Sequence, residues 1–259
     1  MSRKEKHVKK KKSKISIIII IICIAAMIIS GYNIFTWWHE NKKNKEILDD
    51  ISDKVIVQEV EDEEGTKEKY VVDFKGLKEK NSDTVAWIKI ENTNIEYPVV
   101  KGKDNKYYLT KSFDKTNNSA GWVFMDYRNK ADGTDKNTVL YGHNRKDRSM
   151  FGTLNSVFKE EWCNNEQNKY ITYITEDEYS IYEIFSAYRI EEEDYYITTD
   201  FKNDAEYEQF LKKIKKRSYR DFQTDVGKED KILTLSTCSS ANYRVAVHAK
   251  KIEETNNGE

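Results

Sequence analysis

Residues 15–35 form an apolar run that no water-soluble fold would leave as it stands. Ile17 to Ile29 carries no charged or strongly polar side chain. As a helix rising 1.5 Å per residue, residues 15–35 span roughly 30 Å, the thickness of a bilayer's hydrocarbon core. Trp37 and Trp38 come next, where aromatic side chains suit a membrane interface. Ahead of the run stand Arg3, Lys4, Lys6, Lys9, Lys10, Lys11, Lys12 and Lys14 against the single acid Glu5. A basic flank stays on the cytoplasmic side, so the remaining chain is expected outside, on a single-pass anchor. The rival reading is a cleaved signal peptide with Ser30-Gly31 as its small-residue site. The paired tryptophans favour an uncleaved anchor. Net charge is −1, so the chain beyond the basic tail is acidic. That charge and the lack of a basic-aromatic stripe argue against a nucleic-acid partner.

Beyond the anchor, 44–57 places Ile47, Leu48, Ile51 and Val55 at helical spacing. The charge run 59–69 reads as a solvated loop or linker. Asp73 is a fair N-cap for a short helix over 74–80. From Thr84 the apolar period becomes two, and strands are predicted at 85–90, 95–100, 121–126, 138–143, 170–175, 179–190, 231–237 and 243–252. Residues 205–216 are helical, with Tyr207, Phe210, Leu211 and Ile214 on one stripe. Eight short strands and few helices predict a mostly β chain closed into a largely antiparallel barrel. The expected organisation is a basic tail (1–14), a transmembrane anchor (15–35), a juxtamembrane helix and charged linker (36–72), and one globular domain (73–259).

Chemistry concentrates on few residues. The cysteines are Cys23, Cys163 and Cys238. Cys23 lies in the apolar run and reads as filler. The other two could form one disulfide, or one could keep a working thiol. Cys238 ends the strand Ile232-Leu233-Thr234-Leu235-Ser236-Thr237 and precedes Ser239-Ser240, a position open enough to react. A thiol with an ordinary pKa near ~8.5 needs a base or a positive neighbour. His143 is the better base, because it ends the apolar strand Val139-Leu140-Tyr141 after Gly142. His248 alternates with Val247 and Ala249 and reads as a surface strand residue. Arg244 opens the last strand and can reach the Cys238 end with a permanent charge. A fixed donor at a tetrahedral oxyanion is worth roughly 2.7–4 kcal/mol. No Cys-x-x-Cys or His-x-x-x-His spacing supports a zinc site, and no metal or cofactor is expected.

These residues are similar to those of a known family. Thr234-Leu235-Ser236-Thr237-Cys238 resembles the TLxTC signature of sortases. Tyr141-Gly142-His143-Asn144, with Lys146-Asp147 and Met150-Phe151-Gly152-Thr153-Leu154, resembles the histidine segment of class B sortases. Val123-Phe124-Met125-Asp126-Tyr127-Arg128-Asn129 and the pair Trp87-Ile88-Lys89-Ile90 and Tyr97-Pro98-Val99-Val100 do likewise. The likeness runs from about Asp73 to Lys251.

The resemblance implies an eight-stranded sortase-type barrel with an N-terminal helical extension and a helix inserted before the cysteine strand. It implies a cysteine transpeptidase of the thiol-protease type on the outer face of a Gram-positive cell, with Cys238, His143 and Arg244 as its catalytic set. The thiolate would attack the Thr carbonyl of a C-terminal sorting signal, of the Asn-Pro-x-Thr-Asn or Pro-x-Thr-Gly type. The thioester would pass the surface protein to an amine of the peptidoglycan stem peptide or lipid II. No cofactor enters, because the cleaved peptide bond supplies the energy. By resemblance, Asn105, Leu109, Tyr196, Ile197 and Ser236 line the peptide groove. The loop from Cys238 to Arg244 is shorter than is usual in class B. Two other readings stand beside this one. An L,D-transpeptidase would place His-Gly before the cysteine, where this chain has Ser236-Thr237. A catalytically silent peptide-binding domain would have no need of the Cys–His–Arg set.

Overall fold

The computed structural model describes residues 14–62, 65–191, 193–238 and 243–256; for 14, 59–62, 65–68, 238 and 256 it describes the backbone alone. The basic tail and the short 239–242 loop lie outside the described residues. Residues 44–259 form one compact unit, separate from the N-terminal segment.

Helix α1 (Lys14–Ile51) contains the apolar run. Ile17, Ile18, Ile21 and Ile28 are all exposed on it. Among the described residues it is the one helix long and apolar enough to cross a membrane.

Strands β1 (Val55–Asp62) and β2 (Gly65–Val72) form a separate two-stranded antiparallel ribbon. This corrects the reading of 59–69 as a loop, and it ends the preceding helix at Ile51. The reason lies in the flanks. Val55, Ile56 and Val57 pair with Val72, Val71 and Tyr70. These β-branched and aromatic residues favour strand, and their register carries the pairing into the charged residues between them.

Helix α2 (Phe74–Lys80) begins as expected at Asp73, whose carboxylate accepts from Gly76 N at 2.9 Å. The barrel strands come next: β3 (Thr84–Ile90), β4 (Glu96–Lys101), β5 (Phe124–Met125), β6 (Asn137–His143), β7 (Tyr170–Thr175), β8 (Glu178–Ile190), β9 (Ile232–Cys238) and β10 (Arg244–Asn256). They close in the order β10-β8-β7-β3-β4-β5-β6-β9. Pairing is antiparallel except for β4 with β5 and β6 with β9. The predicted strand at 121–126 shrinks to Phe124–Met125. Gly121 adopts φ 59° and Trp122 N bonds back to Tyr108 O, so the first half serves a loop instead of the ladder.

Two apolar layers result. Leu233, Leu235, Val245, Val247 and Ala249 point into the barrel with Ala86, Ile88 and Val99. A short helix, α3 (Glu160–Cys163), lies between β6 and β7. On the other face of β8, β9 and β10, Phe185, Tyr188, Ile190, Ile232 and Ala246 lie under Tyr207, Phe210, Leu211 and Ile214 of α4 (Asp204–Lys216). The stripe predicted for that helix is the one it buries.

That cover overturns the surface reading of His248. Its ring is fully buried beneath the outer layer. Nδ1 lies 2.8 Å from Thr234 Oγ1 and Nε2 lies 2.9 Å from Tyr188 Oη. Thr234 spends its single proton on Asn137 Oδ1 at 2.7 Å, so His248 donates from Nδ1 and accepts at Nε2. Burial pushes its pKa from 6.5 down to about 3. The folded chain therefore keeps His248 neutral while the unfolded chain takes up a proton below its ordinary pKa. The stability this gives is complete above that value and drains as pH falls towards the folded one. Chemical denaturation of the full chain should show a loss of about 2 kcal/mol between about pH 7 and about pH 5. A His248→Gln chain should lose most of that slope. An unchanged slope would mean that His248 titrates normally.

Candidate active site

The parallel ladder between β6 and β9 runs from Asn137–Ile232 to His143–Cys238. Residues far apart in sequence thus end side by side. On the other flank of β9, the antiparallel register reaches Ala246–Ser236. Arg244, the first residue of β10, lies two residues before Ala246, at the end of the ladder where Cys238 ends β9. His143 and Cys238 therefore sit in one row on adjacent strands about 4.8 Å apart, with Arg244 opening β10 at the same end. Thr237 closes the ladder below the row: its Oγ1 accepts from Val245 N at 2.8 Å.

His143 is half-buried, and its Nε2 lies 2.8 Å from the carbonyl oxygen of Leu109. A carbonyl only accepts, so Nε2 carries the proton and Nδ1 is the acceptor of the neutral ring. Gly121 makes this contact possible. A Cβ there would stand 2.6 Å from Tyr108 O, 2.8 Å from Leu109 O and 2.9 Å from His143 Cδ2. With φ at 59° the position also demands glycine. Gly142 similarly leaves room for Phe151, whose backbone N–H donates to His143 O at 3.0 Å.

The residues expected to line a groove divide into two groups. Asn105, Leu109 and Ile197 are half-buried at the surface. Tyr196 and Ser236 are buried and joined hydroxyl to hydroxyl at 2.8 Å. As placed, these two support the Ile197 segment from beneath and present no surface of their own.

A buried carboxylate that the motif reading did not single out lies next to them. Asp126, just after β5, accepts from Arg128 Nε (2.9 Å) and Nη2 (2.7 Å), Tyr141 Oη (2.7 Å) and Asn105 Nδ2 (2.9 Å). Burial alone would raise its pKa; the bonds from Arg128 and Tyr141 outweigh that and hold it below the usual carboxylate range. Tyr141 moves upward in turn, through burial and the adjacent charge of Asp126. The only signal in the sequence was the acid and arginine two residues apart beside a short strand.

Cys163 is a free thiol 3.1 Å from Val157 O, which removes the disulfide alternative. A cavity of about 350 Å³ lies away from the row, lined by Leu48, Ile51, Trp87, Tyr97 and Pro98 among others.

A family model described as the sortase domain matches residues 88–252. Sortase B of Staphylococcus aureus is 34% identical over 236 residues, 89% of this chain and 93% of that protein. Sortase B of Listeria monocytogenes is 34% identical over 219 residues, 84% of this chain and 87% of that one. The crystal structure of sortase B from Bacillus anthracis in complex with AAEK1 superimposes with a TM-score of 0.72 at 39% identity, covering 85% of this chain and 99% of that one. The chain belongs to the sortase family, on its class B branch. Its activity is that of a cysteine transpeptidase.

The Tyr196–Ser236 pair gives a direct check on how the Ile197 segment is held. Tyr196→Phe and Ser236→Ala should each cost about 1–3 kcal/mol, because each leaves a buried hydroxyl unsatisfied. The double variant should cost clearly less than the sum in urea denaturation. Additive costs would show that the two hydroxyls do not act as a pair.

Proposed function

We propose that this chain is anchored by α1 with its N-terminus in the cytoplasm and residues 73–259 as an extracellular catalytic domain. In this reading it cleaves a C-terminal sorting signal after Thr and joins the surface protein to a peptidoglycan amine. The observation that carries the proposal is the pairing of His143 with Cys238 at the ends of β6 and β9, with Arg244 opening β10 at the same end.

The chemistry comes from those residue types. His143 takes the Cys238 thiol's proton at Nδ1, the resulting thiolate attacks the carbonyl carbon of the signal's Thr, and the carbonyl electron pair moves onto oxygen. The Arg244 guanidinium, charged at every accessible pH, stabilises the oxyanion and holds the peptide. The intermediate collapses, the C–N bond breaks, and His143 protonates the departing amine. A thioester on Cys238 remains. The amine of a stem peptide or lipid II then attacks it, His143 takes the amine's proton, and Cys238 leaves as the new peptide bond forms. Leu109 holds the His143 ring by its carbonyl. Asn105, Leu109 and Ile197 form the groove walls, and Tyr196 and Ser236 support one of them from below. A signal of the Asn-Pro-x-Thr-Asn type fits the class B membership best.

The test uses the full chain in detergent with a panel of fluorogenic sorting-signal peptides and a small amine acceptor. The parent should cleave after Thr and transfer the acyl part to the amine. Cys238→Ala should lose at least about 10³-fold in rate. A Cys238→Ala chain that joined peptide to amine as fast as its parent would sink the proposal.

A further inference from the structure

Asp126 is a fully buried carboxylate in a place where an apolar residue would pack. Such a group is costly to bury and keeps its charge only when its acceptor sites are filled. Arg128 grips it with two parallel N–H bonds, to Oδ1 and Oδ2. Tyr141 and Asn105 add two more donors at Oδ2.

What these partners do with their remaining hydrogen bonds is informative. Asn105 turns its Oδ1 to Tyr127 N at 2.9 Å, which pins its segment against the end of β5. Four residues on, that segment ends in Leu109, whose carbonyl receives His143 Nε2. Arg128 Nη2 donates a second time, to Ile197 O at 2.9 Å. One carboxylate thus ties together, through one side chain on each side, the Leu109 segment and the Ile197 segment. These arise from chain stretches separated by about half of the globular unit, and no strand pairing joins them.

We propose that Asp126 and Arg128 are positioning residues that set the spacing between the Leu109 and Ile197 walls and thereby the affinity for the sorting peptide. This rests on the proposed function, which makes those segments the walls. A surface ion pair would stabilise little and reach neither wall. Here the guanidinium fork is needed twice, for the carboxylate and for the carbonyl. A lysine at position 128 keeps the charge but offers a single point of contact on a flexible stem. The Ile197 segment has other anchors: Asn137 Nδ2 donates to Thr198 O at 2.8 Å, and Tyr196 bonds Ser236. Loss of the Arg128 contact therefore loosens one wall and leaves the fold in place.

Arg128→Lys and Asp126→Asn are compared with the parent as full chains in detergent. Two readouts are taken: steady-state kinetics on a fluorogenic sorting peptide, and the rate of Cys238 alkylation by iodoacetamide, tracked by mass mapping. Iodoacetamide is too small to need the walls. Arg128→Lys should raise KM roughly tenfold, the value of one charge-assisted hydrogen bond, with kcat and the alkylation rate close to the parent's. An unchanged KM overturns the proposal, and so does a parallel fall in kcat and alkylation, which would mark general damage to the fold. If Asp126→Asn fails to fold, Arg128→Lys decides alone. A parent that cleaves no sorting peptide refutes the functional reading itself, a result distinct from a parent that cleaves and an Arg128→Lys chain that matches it.

Discussion

The parallel pairing of β6 with β9 is the contact on which the rest of the structure depends. Parallel neighbours cannot be joined by a tight turn, so the chain needs a long crossover between them. Residues 144–231 are that crossover, and they supply β7, β8 and α4. The same ladder that closes the barrel brings His143 beside Cys238. Fold and site are therefore one event. The pairing is also non-local, which places the chain among slow-folding topologies.

The outer layer depends on the inner one. Once β8, β9 and β10 fill the barrel with Leu233, Leu235 and Val247, the alternate residues face outward. Thr234, Ser236 and His248 are polar, yet α4 and the Tyr196 segment cover them. Burial then requires a partner for every polar atom. A chain of hydrogen bonds from Tyr188 through His248 and Thr234 to Asn137 meets that need. Asn137 extends it to Thr198 O, so the buried network also holds the segment beside the candidate groove.

Much of this was legible in the sequence because it is local. The period-two runs marked β3, β4 and β6 to β10, and the stripe of Tyr207, Phe210, Leu211 and Ile214 marked α4. A cysteine and a histidine at the ends of apolar strands pointed to the candidate site, and the two strands pair there. What escaped depends on partners distant along the chain. The charged run became the β1–β2 ribbon because its apolar flanks found each other. His248 looked like a surface residue because the Phe185, Tyr188 and Tyr196 rings that enclose it cannot be inferred from the alternation of Val247, His248 and Ala249. The role of Asp126 emerges only when Asn105, Tyr141 and Arg128 converge on it from three segments.

The closed barrel has a consequence for how any extended peptide is met. An open sheet offers a free edge, and a bound strand can add to it through backbone hydrogen bonds alone. Such augmentation is tolerant of sequence, because every peptide carries the same amides. In the barrel each of the eight strands already has a neighbour on both sides. A peptide approaching the barrel finds no strand there without neighbours on both sides. It must be held by side chains and by the few carbonyls that loops present, which are contacts that differ from one peptide to the next. Closure thus turns a β-rich protein from a potential collector of stray strands into a reader of particular residues.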